Sequence, residues 1–180
     1  MQPEFWHERW QRGEIGFHRD SVHPWLVSCW PRLDCAPGDT VFVPLCGKTR
    51  DIGFFLDQGC RVIANELSPL AIEQLFSELG LDPTVDELPD QQCWQAADLC
   101  VYVGDFFTLQ SAQMPPIALT YDRAALVALP AAMRSRYAKH LLALTKRSPQ
   151  LLITFEYPQE AMQGPPFAVG MDEVERLYAA

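Results

Sequence analysis

The chain has 180 residues, 48 % of them hydrophobic, and a formal net charge of −9. That length supports one domain around one buried core. With 14 Lys and Arg against 23 Asp and Glu, a nucleic-acid partner is not expected, and no apolar run is long enough to span a bilayer.

Pro3 to Arg12 reads as a helix with Phe5, Trp6 and Trp10 on one side. Two glycines break the pattern in Gly13-Glu14-Ile15-Gly16-Phe17-His18-Arg19-Asp20. A second helix is expected from His23 to Trp30, and a turn at Ala36-Pro37-Gly38-Asp39. From there strands at about 40–45, 61–66, 99–103, 117–121 and 150–156 alternate with helices at about 49–58, 68–79, 130–144 and 172–178. The alternation predicts an α/β fold, a mainly parallel sheet with helices on both faces. Leu81 to Gln92, rich in Asp and Pro, is expected as a surface excursion. Cys93 to Ala96 is a candidate antiparallel strand against Leu99 to Val103.

The most telling segment is the first strand, Val41-Phe42-Val43, stopping at Pro44-Leu45-Cys46-Gly47-Lys48. A second strand, Arg61 to Glu66, follows and ends on an acid. Strand, turn, helix and strand with a terminal carboxylate form a half-site for a nucleoside, since a bare turn admits a ligand and the acid accepts from ribose hydroxyls. Gly47-Lys48-Thr49 is not a phosphate loop, because Phe42 stands where the motif needs glycine, and the G-x-G-x-x-G fingerprint is absent. A nucleoside without phosphates therefore fits best.

Asp105 is a candidate acceptor for an exocyclic amine and Phe106 a face for a purine, whereas Phe107 is read as core. Tyr121-Asp122-Arg123 ends the fourth strand, either as a functional site or as an ion pair holding the turn. Trp6, Trp10 and Phe17 serve equally well as edge packing or as a lid over a ligand. Four histidines form no ligand cluster, so neither a metal nor hydrolase chemistry is expected. Six scattered cysteines without a Cys-x-x-Cys pair, in a sequence opening Met1-Gln2-Pro3-Glu4, suggest reduced thiols in a cytoplasmic protein.

Phe5-Trp6-His7-x-x-Trp10, Ile15-Gly16-Phe17-His18, Val43-Pro44-Leu45-Cys46-Gly47-Lys48, Glu66-Leu67-Ser68, Gly104-Asp105-Phe106-Phe107, Tyr121-Asp122-Arg123-Ala124-Ala125-Leu126 and Gly164-Pro165-Pro166-Phe167 closely resemble the thiopurine S-methyltransferase family, of bacterial type. The resemblance implies a Rossmann-like class I methyltransferase using S-adenosyl-L-methionine. It implies that Trp10, Leu45, Glu66 and Arg123 contact the cofactor, Asp105 and Phe106 lie near its adenine, and Phe17 lies near the acceptor. Residues 1–35 would then form a helical lid and 36–180 the α/β core of a single domain. The acceptor would be an aromatic or heterocyclic thiol, or a selenium or tellurium species in metalloid tolerance, with Arg123 favouring an anion. No catalytic acid or base is singled out. Family members usually continue past Glu173-Val174-Glu175-Arg176-Leu177-Tyr178 into two last strands, which this sequence lacks. The expectation is therefore an exposed fifth strand, in a monomer or self-associating through that edge, and a catalytically silent cofactor-binding protein is the alternative reading.

Overall fold

The structure, a computed structural model, describes residues 3–179. α1 (Pro3–Arg12) and α2 (Pro24–Cys29) precede β1 (Thr40–Val43), α3 (Asp51–Asp57), β2 (Arg61–Glu66) and α4 (Pro69–Leu79). A hairpin of β3 (Thr84–Glu87) and β4 (Gln92–Ala96) leads into β5 (Leu99–Val103). β6 (Leu119–Arg123), α5 (Ala131–Leu144), β7 (Gln150–Ile153) and α6 (Met171–Tyr178) complete the order. One seven-stranded sheet runs β3-β4-β5-β2-β1-β6-β7. Its five strands from β5 to β7 are parallel, and the hairpin extends it antiparallel from β5.

The side-chain alternation along each central strand builds two cores. Val41, Val43, Val62, Ala64, Val101 and Tyr121 face α2, α3 and α4, with Leu26, Ile52, Phe55, Ile72, Leu75 and Phe76 packed against them. Phe42, Ile63, Cys100, Tyr102 and Leu152 face the other way, towards Tyr137, Leu141 and Leu144 of α5 and the apolar side of α6. The near-continuous apolar character of these strands, such as fully buried β1, follows from burial on both faces. Each connection also obeys local chemistry. Pro69 opens α4, left-handed Gly80 (φ +66°) closes it, and the His23 ring accepts from Trp25 N at the start of α2.

Two expectations are corrected. Residues 81–92 do not form a loop throughout, because Thr84–Glu87 pairs residue for residue with Gln92–Gln95. The four residues of β3 are all exposed, so no apolar alternation marks them as strand. The sheet consequently reaches seven strands through this hairpin, although the parallel part ends at β7 and the described residues add no strand beyond it. β6 is shifted two residues later than the sequence pattern suggests, and β7 stops at Ile153. No helix of the described residues is long and apolar enough to cross a membrane.

The shift of β6 separates Asp122 from Arg123. Asp122 turns into the α5 side, where Tyr137 Oη donates to Oδ2 at 2.7 Å and Leu126 N to Oδ1 at 3.1 Å. It forms no ion pair with its neighbour. Burial pushes its carboxyl up from 3.8 to about 6, against the pull of those donors. A raised carboxyl stabilises the fold fully below its unfolded value and loses that contribution as pH rises through the folded value. Asp122→Asn should therefore gain stability relative to the parent as pH climbs from 3.8 through about 6, measured by urea unfolding at each pH. Parallel stability curves would contradict this.

Candidate functional site

The turn after β1 is held open by a carboxylate. Gly47 N donates to Glu66 Oε2 at 2.8 Å, and Ser68 N donates to Oε1 at 2.9 Å. Cys46 N donates to Asn65 O at 2.8 Å, fastening the same turn to β2. Leu45 sits at φ +46° and Gly47 at φ +54°. A Cβ on Gly47 would fall 3.1 Å from Trp10 Cζ2, so glycine is required both for conformation and for the ring of α1 to close on the turn. Ala124, directly after Arg123, is also left-handed at φ +73°. Strained residues thus flank one place, the carboxyl ends of β1, β2 and β6.

That place is a cavity of about 530 Å³, within the range of small-molecule sites. Leu45, Glu66 and Arg123 line its sheet side, and Trp6, Trp10 and Phe17 its outer side. Phe17 meets Trp6 and Trp10 edge to face, with centroids 5.9 and 5.8 Å away. The structure therefore gathers Trp10, Phe17, Leu45, Glu66 and Arg123 around one space. Asp105 and Phe106 stand outside its lining. Asp105 is exposed and caps its own turn, accepting from Phe107 N at 3.0 Å. Phe106 is buried against Tyr137 at 4.9 Å, while Phe107 is partly exposed beneath the Arg136 guanidinium. Phe107 nevertheless packs against the same core as Phe106, as the sequence reading has it, while Phe106 is the more deeply buried of the two.

The electrostatics are opposite to those of the whole chain. Arg9, Arg19, Lys48 and Arg123 line the cavity, and Glu66 is the one carboxylate among the described lining residues. Lys48 is compensated by Glu78 at 2.7 Å. The Arg123 side chain makes no hydrogen bond or ion pair within the described residues. Burial lowers its pKa, with Asp51 and Tyr121 opposing. Glu66 is pushed up by burial, partly offset by the N–H groups of Ser68, Gly47 and Leu67. His18, also at the wall, is lowered first by burial and then by Lys48.

Asp51 was not marked by any motif, yet it joins three parts of this wall. His23 N donates to its Oδ1 at 2.7 Å, and Thr49 Oγ1 and Tyr121 Oη donate to Oδ2 at 3.0 and 2.8 Å. One buried carboxylate thereby ties the N-terminal segment, the turn after β1 and the end of β6. Its only sequence signal is an acid in the first turn of α3, which most helices share. Arg19, Phe155 and the Pro165-Pro166 pair also line the cavity without having been singled out for it.

The family model of thiopurine S-methyltransferase matches residues 1–180. The chain belongs to the thiopurine S-methyltransferase family. A relative described as thiopurine S-methyltransferase, from Xanthobacter autotrophicus, is 50 % identical over all of this chain and 85 % of its own length. The fold is also that of an S-adenosylmethionine-dependent methyltransferase from Anabaena variabilis (TM-score 0.65, 15 % identity, 98 % of this chain and 80 % of that one). It is similarly that of Burkholderia thailandensis 1,6-didemethyltoxoflavin-N1-methyltransferase, solved with its namesake and S-adenosylhomocysteine (TM-score 0.62, 15 % identity, 97 % and 73 %). The Rossmann-like class I architecture that the family resemblance implies is the one observed.

The Asp51 junction makes a direct prediction. Tyr121→Phe removes a donor from a buried carboxylate and should cost about 1.5–3 kcal/mol of unfolding free energy. Urea denaturation measures it, and an unchanged midpoint would show the junction to be dispensable.

Proposed function

We propose that this cavity binds S-adenosyl-L-methionine together with an aromatic or heterocyclic thiol, and that the protein catalyses methyl transfer to the sulfur. The observation that carries the reading is Glu66, a buried carboxylate that grips a strained backbone turn at the wall of a cavity otherwise rich in cations and aromatic rings. Both Glu66 oxygens accept backbone N–H groups, and with about four acceptor positions on a carboxylate, capacity remains for a ribose hydroxyl. Arg123, unpaired at the cavity wall, matches the carboxylate of the amino-acid part. Leu45 and Trp10 would complete the cofactor's walls. Membership of the family and the Burkholderia neighbour's bound S-adenosylhomocysteine support this assignment.

The cofactor, when bound, supplies an electrophilic methyl group on a sulfonium. The protein's own contribution is placement and environment. Phe17, Trp6 and Trp10 form an apolar wall that excludes water from an acceptor, and residues 1–35 act as a lid whose base is pinned by Asp51. Arg9, Arg19 and Arg123 favour the thiolate over the thiol, so no side chain need remove a proton during the transfer. An aromatic thiol is already acidic, so transfer at this site requires no general base. The same soft-nucleophile logic extends the acceptor class to selenium and tellurium species. Six free cysteines suit a reducing, cytoplasmic setting.

Calorimetry with S-adenosylhomocysteine followed by turnover on matched thiols and phenols tests the proposal. Binding with methylation of thiols over phenols is expected. Binding without product would favour the silent alternative, and absence of binding would remove the cavity from consideration. Arg123→Ala should weaken the homocysteine derivative about tenfold to a hundredfold, the loss expected for one charge-assisted pair. An unchanged affinity would take Arg123 out of the cofactor site.

A further inference from the structure

The β4–β5 pair carries a second chemically reactive arrangement, apart from the cavity. Cys93 stands opposite Tyr102 and Cys100 opposite Gln95, so the two cysteines are diagonal neighbours on one face of the antiparallel pair. Their Sγ atoms lie 3.3 Å apart, and Gln95 Nε2 donates to Cys93 Sγ at 3.1 Å. Neither thiol takes part in the function proposed above.

We propose that Cys93 and Cys100 form a reactive dithiol that a small peroxide oxidises to an intramolecular disulfide, reversible by added thiol. Cys93 is the nucleophile. Its sulfur has two polar neighbours, the Cys100 thiol at 3.3 Å and the donating Gln95 amide at 3.1 Å. The first of these is the main cause that lowers its pKa to about 7, against burial and the charge of Asp86 on β3. Cys100 is held in the thiol form, its pKa raised by the contact with Cys93 and by burial.

The chemistry balances without another reactant. The Cys93 thiolate attacks one peroxide oxygen, forming S–O as the O–O bond breaks and hydroxide leaves. Hydroxide takes the Cys100 proton as water. The Cys100 sulfur then displaces the oxygen of the Cys93 sulfenic acid as hydroxide, which leaves as the second water with the proton first lost by Cys93. Two thiols and one hydrogen peroxide give one disulfide and two waters. The sulfur pair loses two electrons and the peroxide gains them.

Geometry explains why the bridge would be reversible. A disulfide needs sulfurs about 2.05 Å apart and Cα atoms usually within about 6.8 Å. Diagonal partners in a sheet are typically about 7–8 Å apart, so closure pulls the strands together and leaves strain that favours reduction. Exposure selects the oxidant. Cys93 is nearly buried and Cys100 partly so, which favours a molecule of water-like size over a bulky disulfide.

The protein contains its own comparison. Cys35 and Cys60 lie with Sγ atoms 3.8 Å apart, but Cys35 is pushed up to about 12 by burial and by Cys60, and Cys60 is raised by burial. Proximity without a stabilised thiolate should leave that pair reduced.

The test reads mass. The wild-type chain is titrated with hydrogen peroxide, alkylated and digested with trypsin. No Lys or Arg lies between Arg61 and Arg123, so Cys93 and Cys100 share one peptide that holds no other cysteine. That peptide should become two hydrogens lighter and resist alkylation at a peroxide dose at least about tenfold below that affecting Cys35 and Cys60. Dithiothreitol should restore it. Cys100→Ser should stop at a sulfenic acid on Cys93, captured by dimedone. Oxidation of Cys35 and Cys60 first, cross-linked chains, direct passage to sulfinic acid, or no reaction would each overturn the proposal. The wild-type mass decides this even if the serine variant does not fold, and it does not depend on methyl transfer.

Discussion

Glu66 accepts a backbone N–H on each carboxylate oxygen, from Gly47 in the turn after β1 and from Ser68 at the start of α4. This double grip sets the relation between two adjacent parallel strands at the end where the cavity opens. Burial works against the charge, and the converging N–H groups work for it. A group so balanced responds strongly to any further donor. A ligand presenting a hydroxyl there would use the remaining acceptor capacity, whereas an apolar ligand would leave a buried charge short of partners.

The rest of the cavity follows from that fixed turn. Gly47 must be left-handed, and its missing side chain lets Trp10 approach, which brings α1 and then Phe17 over the opening. Asp51 fastens the same layer from beneath through His23 and Tyr121. The left-handed residues Leu45 and Ala124 both line that space, after β1 and β6. A strongly acidic protein thus presents a locally cationic, aromatic-walled pocket. Net charge describes its solubility and encounter with large polyanions, but the pocket's chemistry is set by four local cations.

Much of this is legible in the sequence. Apolar strands of four to six residues between helices specify a parallel sheet buried on both sides, and an acid closing β2 beside a Pro-Gly turn marks the crevice. Less legible was β3, whose exposed residues carry no period-two signal. The deeper burial of Phe106 is not legible either, since Phe106 and Phe107 are equivalent in composition and both pack on the same core. Asp122 and Arg123 read as one pair, but strand alternation sends them to opposite faces. Asp51 was invisible because its three donors come from positions 23, 49 and 121, a convergence that no local spacing encodes.

The central premise is that the adenosyl sugar is received by the carboxylate ending β2, and diffraction from crystals grown with S-adenosylhomocysteine addresses it most directly. The account predicts a ribose hydroxyl within hydrogen-bonding distance of Glu66, with its contacts to Gly47 and Ser68 retained. Ribose density elsewhere, with Glu66 facing only its backbone donors, would contradict it.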